Sequence, residues 1–169
     1  VDAIDLLALP DLFWAHENSS GFRTLKDVEV VQQALVSQCE RMRNRFAVLD
    51  LPNHREYVQA LQWRLLFDSP YAAFYFPWLV VEVNGDTKAV PPSGHVAGIY
   101  ARCDELMGVH RAPANEELEG VLDLSLLMTD ADIGYLNQHG VNTIKSFAKR
   151  GMRVWGARTV SSDPMHRFI

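Results

Sequence analysis

Cysteine is scarce: Cys39 and Cys103 are the two in the chain, too few for a small disulfide-stapled scaffold. Basic residues number 16 against 21 acidic ones, and the formal charge of −5 repels phosphate overall. A nucleic-acid binder working by bulk charge is thereby excluded. Long apolar runs are missing too. None approaches the ~20 residues that a bilayer span requires, so no membrane insertion is expected. The six histidines (His16, His54, His95, His110, His139 and His166) form no i, i+4 pair and no zinc-like spacing, so no metal is expected. Neither G-x-x-x-x-G-K-S/T nor G-x-G-x-x-G occurs, and no cofactor is expected. Disorder is excluded by ordinary composition, 48% apolar and 22% charged. What is left is a globular domain long enough to bury roughly two-thirds of its unfolded surface. The chain opens on Val1-Asp2-Ala3-Ile4, already within a pattern, and stops at Phe168-Ile169; it is expected to be a fragment of a longer polypeptide.

Apolar spacing organises the chain. Ile4 to Leu9 reads as a short buried strand ended by Pro10. The polar stretch from Trp14 to Arg23 reads as a loop. Thr24 and Asp27 form a capping-box variant, and Val28, Val31, Leu35, Cys39 and Met42 place one apolar stripe on a helix over 25–44. Phe46 to Asp50 reads as a second strand. Asn53, with Glu56 at the reciprocal position, is expected to cap a helix reaching Trp63, with Tyr57, Leu61 and Leu65 on one face. Tyr71 to Val83 is aromatic and β-branched, either one long strand or two interrupted at Pro77. Asn84-Gly85 signals a tight turn. Pro91 and Pro92 force an extended entry, and Ser93 is expected to cap a helix carrying Val96, Ile99, Tyr100, Cys103 and Met107, ended by Gly108. Residues 109–120 read as a loop around Pro113. Thr129 and Asp132 open a short helix ending at Gly140, and Thr143–Ala148 and Met152–Val160 read as strands. This alternation predicts an α/β layered sandwich with a mostly parallel central sheet flanked by helices.

Several residues invite a chemical reading. The cysteines lie on apolar stripes and read as core. Trp63, Trp78 and Trp155 lie in apolar runs and read as core or interface. Gly94 and Gly98 frame a helix start where backbone N–H groups meet anions in other proteins, but the preceding Pro-Pro-Ser offers few donors, so helix packing is the expected role. Gly94-His95-Val96-Ala97-Gly98 also looks like the tail of the subtilase motif H-G-T-H-V-A-G, and Phe46–Asp50 looks like the strand carrying the subtilase aspartate. The decisive position fails, because Pro92 stands where the catalytic imidazole belongs and no G-T-S-x-A nucleophile turn occurs. Without a base, serine attack has no proton acceptor. No catalytic residue is expected.

Five blocks, in order and at matching spacing, identify a family. Asp68-Ser69-Pro70-Tyr71-Ala72-Ala73-Phe74-Tyr75-Phe76-Pro77-Trp78 resembles the S-x-Y-A-A-x-Y-x-P-W signature of contractile tail sheath proteins. Val90-Pro91-Pro92-Ser93-Gly94-His95-Val96-Ala97-Gly98-Ile99-Tyr100-Ala101-Arg102 continues it. Asp104 with Gly108-Val109-His110-Arg111-Ala112-Pro113-Ala114-Asn115 is similar to the D-x-x-x-G-V-x-x-A-P-A-N block. Leu136-Asn137 with Gly140-Val141-Asn142 resembles the L-N-x-x-G-I-N turn, and Gly151-Met152-Arg153-Val154-Trp155-Gly156-Ala157-Arg158-Thr159 resembles G-I-R-V-W-G-A-R-T. A looser likeness covers Leu6 to Pro10 and Arg45 to Pro52.

The resemblance implies a subtilisin-like sheath core domain over residues 1–169, lacking N-terminal parts and the C-terminal domain and arm of a longer subunit. It implies a helical homo-oligomer around an inner tail tube protein, with baseplate and tail terminator proteins as further partners. Contraction would drive the inner tube through a target envelope without nucleotide at the subunit. The particle is expected to be a virion tail or contractile injection device assembled in the bacterial cytoplasm. Structural roles are expected for Tyr71, Tyr75, Pro77, Trp78, Pro91, Pro92, Ser93, Gly94, Gly98, Arg102, Asp104, Pro113, Asn115, Trp155, Gly156 and Arg158, with Arg158 and the Arg102/Asp104 region fixing loops through charge-assisted hydrogen bonds. Sliding contacts are expected at Arg41, Arg43 and Arg45, at Lys149 and Arg150 with Arg153, and at Glu116, Glu117 and Glu119. A catalytically dead or weak subtilase-like hydrolase and a non-polymerising adaptor are the alternative readings.

Overall fold

A computed structural model describes residues 5–53, 56–108 and 111–169. Expectations that fall on Ile4, His54, Val109 and His110 lie outside the described residues. Five strands form the main sheet in the order β1 (Leu6–Ala8), β2 (Phe46–Asp50), β3 (Ala72–Phe76), β7 (Val141–Phe147) and β8 (Gly151–Trp155). The first four are parallel, and β8 returns antiparallel beside β7. This is the mostly parallel, helix-flanked sheet that the alternation predicts.

A parallel sheet with both faces covered needs apolar residues on both sides of its strands. Here Ala47, Leu49, Ala72, Phe74 and Phe76 point into one core, and Val48, Ala73 and Tyr75 point into the other. The period of two assigns them. The first core is closed by α1 (Leu12–Asn18), α2 (Leu25–Met42) and α3 (Tyr57–Arg64), and α5 (Asp130–Gln138) adds Leu136. The second is closed by α4 (Ser93–Met107) and by a second, antiparallel sheet in the order β5 (Asp86–Val90), β4 (Leu79–Val83) and β6 (Val121–Leu124).

Several expectations need correction. The stretch from Trp14 to Arg23 is helical at its start: α1 buries Leu12 and Phe13, and the Phe13 ring meets Trp78 edge-on at 5.7 Å. Two apolar residues packed on a core outweigh the polar residues that follow them. The stripe on α2 is rotated. Val28 and Cys39 are buried, but Gln32 and Val36 complete the face, while Met42 is exposed. Asn53 does not cap α3; Glu56 occupies the cap, and Leu65 is exposed. Ser93 is the first residue of α4 with Pro92 as its cap, because its side chain is engaged elsewhere. Strands β5 and β6 arise where no strand was expected, since β5 is almost wholly exposed and carries no apolar pattern. The final strand ends at Trp155, well short of Val160.

Other local signals act as the residues dictate. Thr24–Asp27 and Thr129–Asp132 both close capping boxes. Pro77, preceded by a cis peptide bond, separates β3 from β4, and the two strands belong to different sheets. Asn84 (φ 55°) and Gly85 (φ 88°) make the β4–β5 hairpin turn with both central residues left-handed, the geometry that matches strand twist.

Candidate functional site

Asp50 ends β2 on the face that looks toward α4, and it is 2% exposed. Its Oδ1 accepts from the Ser93 backbone N–H at 2.8 Å and its Oδ2 from the Ser93 hydroxyl at 2.5 Å. The carboxyl thus caps the first turn of α4 from another element. Burial pushes its pKa up to about 7, against the downward pull of the two Ser93 bonds. The same strand end is tied on its other side: Gln32 Nε2 donates to Asp50 O at 2.7 Å, and Trp63 Nε1 donates to Gln32 Oε1 at 3.0 Å.

On the subtilase likeness of the sequence, an Asp–His pair would be expected here. Among the described residues no imidazole reaches Asp50, and the Ser93 hydroxyl is fully buried and spent on the carboxyl. Among the described residues, neither a base nor an accessible nucleophile is assembled at Asp50. His95 instead lines a 520 Å³ groove with Pro10, Trp14, Trp78, Lys88 and Gly94, and burial lowers its pKa. Gly98 has open space where a Cβ would stand. Cys39 and Cys103 are buried free thiols whose pKa values burial raises, the opposite of nucleophile activation.

Further ties join α4 and the two sheets. The Tyr75 and Tyr100 hydroxyls meet at 2.9 Å between β3 and α4, and desolvation raises both phenols. Trp78 Nε1 donates to Leu51 O at 2.7 Å. Tyr71 and Asp104 line a hollow with Arg45, Phe168 and Ile169, where the end of the chain lies against α4.

The segment after α4 is held by charge. Arg102 pairs with Glu119 at 2.8 Å and donates to Glu117 O at 2.9 Å; Arg111 pairs with Glu116 at 3.3 Å. Arg153 donates to Asn115 O at 2.7 Å and pairs with Glu117 at 3.2 Å, while Arg150 reaches Asn115 Oδ1 at 3.2 Å. Backbone bonds from Asn115 and Leu118 to Val154 and Met152 lay this segment along β8, with Pro113 and Leu118 buried beneath it. The acidic run therefore meets its cations within the chain. Arg41, Arg43, Arg45 and Lys149 differ: among the described residues none of them forms an ion pair. Arg41 bonds Gln38, Arg45 bonds Asn44, and Arg43 and Lys149 occupy left-handed turn positions.

Past β8, Asn142 is fully buried and organises the exit of the chain. Its Oδ1 accepts from Arg158 N at 2.7 Å, and its Nδ2 donates to Arg158 O at 2.8 Å and Phe74 O at 3.2 Å. Gly156 (φ +145°) fits against this amide; a Cβ there would stand 2.6 Å from Asn142 Oδ1. Trp155 is 44% exposed, unlike Trp63 and Trp78 in the core. The Arg158 guanidinium lies 4.2 Å from the centre of the Phe168 ring. Gln32 and Arg64, both buried, escaped the sequence reading. Gln32 sits four residues after Val28 on the apolar stripe, a detectable signal; Arg64 had none.

Over 152 residues the chain is 27% identical to the tail sheath protein of Escherichia phage P2, covering 84% of this chain and 37% of that one. A subunit of the anti-feeding prophage (AFP) helical sheath in its contracted state superposes with a TM-score of 0.76 and 32% identity, over 100% of this chain and 42% of that one. The contracted PVC sheath complex, from an extracellular contractile injection system, gives a TM-score of 0.65 and 37% identity over 73% of this chain and 35% of that one. The chain thus spans well under half the length of these relatives. Residues 21–160 match the model of the phage tail sheath protein central domain, and the chain belongs to the phage tail sheath family.

Proposed function

We propose that this chain is the central body of a contractile tail sheath subunit, whose copies stack into a helical tube around an inner tail tube. The tube shortens and widens, driving the inner tube through a target cell envelope, in a phage tail or contractile injection particle assembled in the bacterial cytoplasm. Baseplate and tail terminator proteins meet the ends of the tube. The observation that carries this reading is the likeness, across the whole of this chain, to a subunit of a helical sheath in its contracted state. Residues 1–169 form one core domain in this reading, and arms elsewhere in a longer subunit link its neighbours.

Contraction by regrouping needs bodies that stay rigid and interfaces that have two packings. The ties described above supply the first requirement: Asp50–Ser93, Tyr75–Tyr100, Arg102–Glu119 and Asn142–Arg158 each join separate elements. Arg41, Arg43, Arg45 and Lys149, without ion pairs among the described residues, supply registering charge for the second. Trp14 (63% exposed), Leu106 (71%) and Leu127 (76%) supply apolar surface of the kind an interface covers. The work is mechanical, stored in the lattice at assembly, and needs no chemical step in this subunit. Electron microscopy of the full-length product, expressed with its neighbouring tube protein, tests the proposal. Ordered cylinders in two lengths are expected; a product that stays solitary under all conditions refutes it. Turnover of broad peptide or ester substrates that tracks the purified chain would favour a hydrolase instead.

A further inference from the structure

Two exposed surfaces of opposite charge lie at opposite ends of the main sheet. Strands β1 and β2 are parallel, with Leu6 beside Phe46 and Ala8 beside Val48. Asp11 and α1 follow β1, so the groove beside Trp14 lies at the carboxyl end of these strands. Arg41 and Arg43 come just before β2, at the amino end. Helix α2, with 18 residues and roughly 27 Å long at 1.5 Å per residue, runs between the two ends.

The groove has an apolar wall and an acidic rim. Pro10, Trp14, Trp78 and Pro91 line its 520 Å³. The Trp14 ring is largely exposed, and among the described residues it meets no other ring and no cation. Asp11 and Glu17 on the rim are exposed, as is Lys88, and none of the three forms an ion pair among the described residues. His95 adds no charge at neutral pH, since burial holds its pKa down.

The end of α2 has the reverse pattern. Glu40, Arg41, Met42 and Arg43 are exposed in succession, and among the described residues none of the three charged groups forms an ion pair. Arg43 is the left-handed C-cap (φ 55°), so it stands where the helix stops. Two arginines, an exposed methionine and one acid complement two acids, an apolar wall and one lysine. A guanidinium over an indole face with carboxylates beside it combines cation–π attraction with charge-assisted hydrogen bonds.

We propose that the Trp14 groove of one subunit receives residues 40–43 of a second copy; this assignment rests on the reading of the chain as a self-assembling sheath subunit. Arg41 and Arg43 meet Asp11 and Glu17 around the Trp14 ring, Met42 covers the apolar wall, and Glu40 meets Lys88. The two surfaces differ and lie at opposite ends, so a copy engaged at one end keeps the other free. Such a heterologous contact propagates as an open chain, as a helical tube requires, whereas a self-complementary patch stops at a dimer.

Charge reversal in the full-length product, expressed with its tube protein and viewed by electron microscopy, tests the assignment. D11K/E17K sets cations against cations, and R41E/R43E sets acids against acids. Each alone is expected to give less than a tenth of the cylinders of the unmodified protein, and W14A at least threefold fewer. Co-expressing the two reversed subunits restores opposite charges at every contact, and D11K/E17K/R41E/R43E restores them within one sequence. Both are expected to recover at least half of the cylinders, a rescue that a folding defect would not show. The assignment is overturned, with the sheath reading left standing, if either reversed subunit or W14A assembles as the unmodified protein does, or if neither pairing of reversed charges recovers cylinders. Cylinders of D11K/E17K that lack the tube would make the groove a tube contact and overturn the assignment to a second copy. An unmodified protein that builds no cylinders overturns both readings.

Discussion

Replacing Asp50 by asparagine separates the cost of burying a charge from the value of the bonds it makes. In the folded chain the Asp50 pKa stands at about 7, against 3.8 for the exposed group. At 1.36 kcal/mol per unit, keeping Asp50 ionised costs the folded state about 4 kcal/mol above pH 7. The sign follows from which state releases its proton first. Between about pH 4 and pH 7 the unfolded chain is ionised while the folded chain still holds the proton, so this contribution to stability is full below pH 4 and drains away as pH rises. An asparagine carries no such dependence. Its Oδ1 can accept from the Ser93 N–H and its Nδ2 can donate to the Ser93 hydroxyl, so both ties survive in neutral form. D50N is therefore expected to be within about 1 kcal/mol of the unmodified chain at pH 4.5 and more stable by about 3–4 kcal/mol at pH 8. D50A, which abandons the Ser93 donors, is expected to be less stable than D50N by about 1–3 kcal/mol at every pH. Urea unfolding of the three proteins between pH 4.5 and 8.5 measures this. A difference between Asp50 and D50N that stays flat across that range would refute the reasoning.

Three further expectations rest on other ties. Y75F strands the Tyr100 hydroxyl in the core and is expected to cost about 1–3 kcal/mol, while Y75F/Y100F recovers part of the loss; a double-mutant cycle by urea unfolding checks it. G156A forces a Cβ to 2.6 Å from Asn142 Oδ1 at a φ of +145°, and is expected to cost about 3 kcal/mol or more in thermal unfolding. R158A removes the guanidinium from the Phe168 ring but leaves the backbone bonds to Asn142. Its melting temperature is expected to fall by a few degrees, corresponding to about 1 kcal/mol, and unchanged melting would count against a loop-fixing role for that side chain.

The five sequence blocks led to the family because their residues are held by local or strictly spaced requirements. Gly140 must adopt a left-handed backbone angle, and Gly156 must sit against Asn142. The capping boxes at Thr24 and Thr129 were equally legible, since cap and partner lie three residues apart. What escaped was decided across the chain. Ser93 looks like a helix cap from its neighbours alone, yet it bonds a carboxylate 43 residues earlier. The intrachain partners of the acidic run from Glu116 to Glu119 were equally invisible in the sequence: the fold brings Arg102 and Arg153 onto it.

The amino-acid sequence by itself determined the layered α/β class, most element positions and the failed subtilase site, because period-two and helical spacing, turn chemistry and the identity of residue 92 are properties of short windows. Tertiary structure alone decided which polar groups share a buried space. Asp50 with Ser93, Tyr75 with Tyr100 and Arg64 with Val160 are pairings between distant elements, and their energies depend on desolvation that exists only once both layers have closed over the sheet.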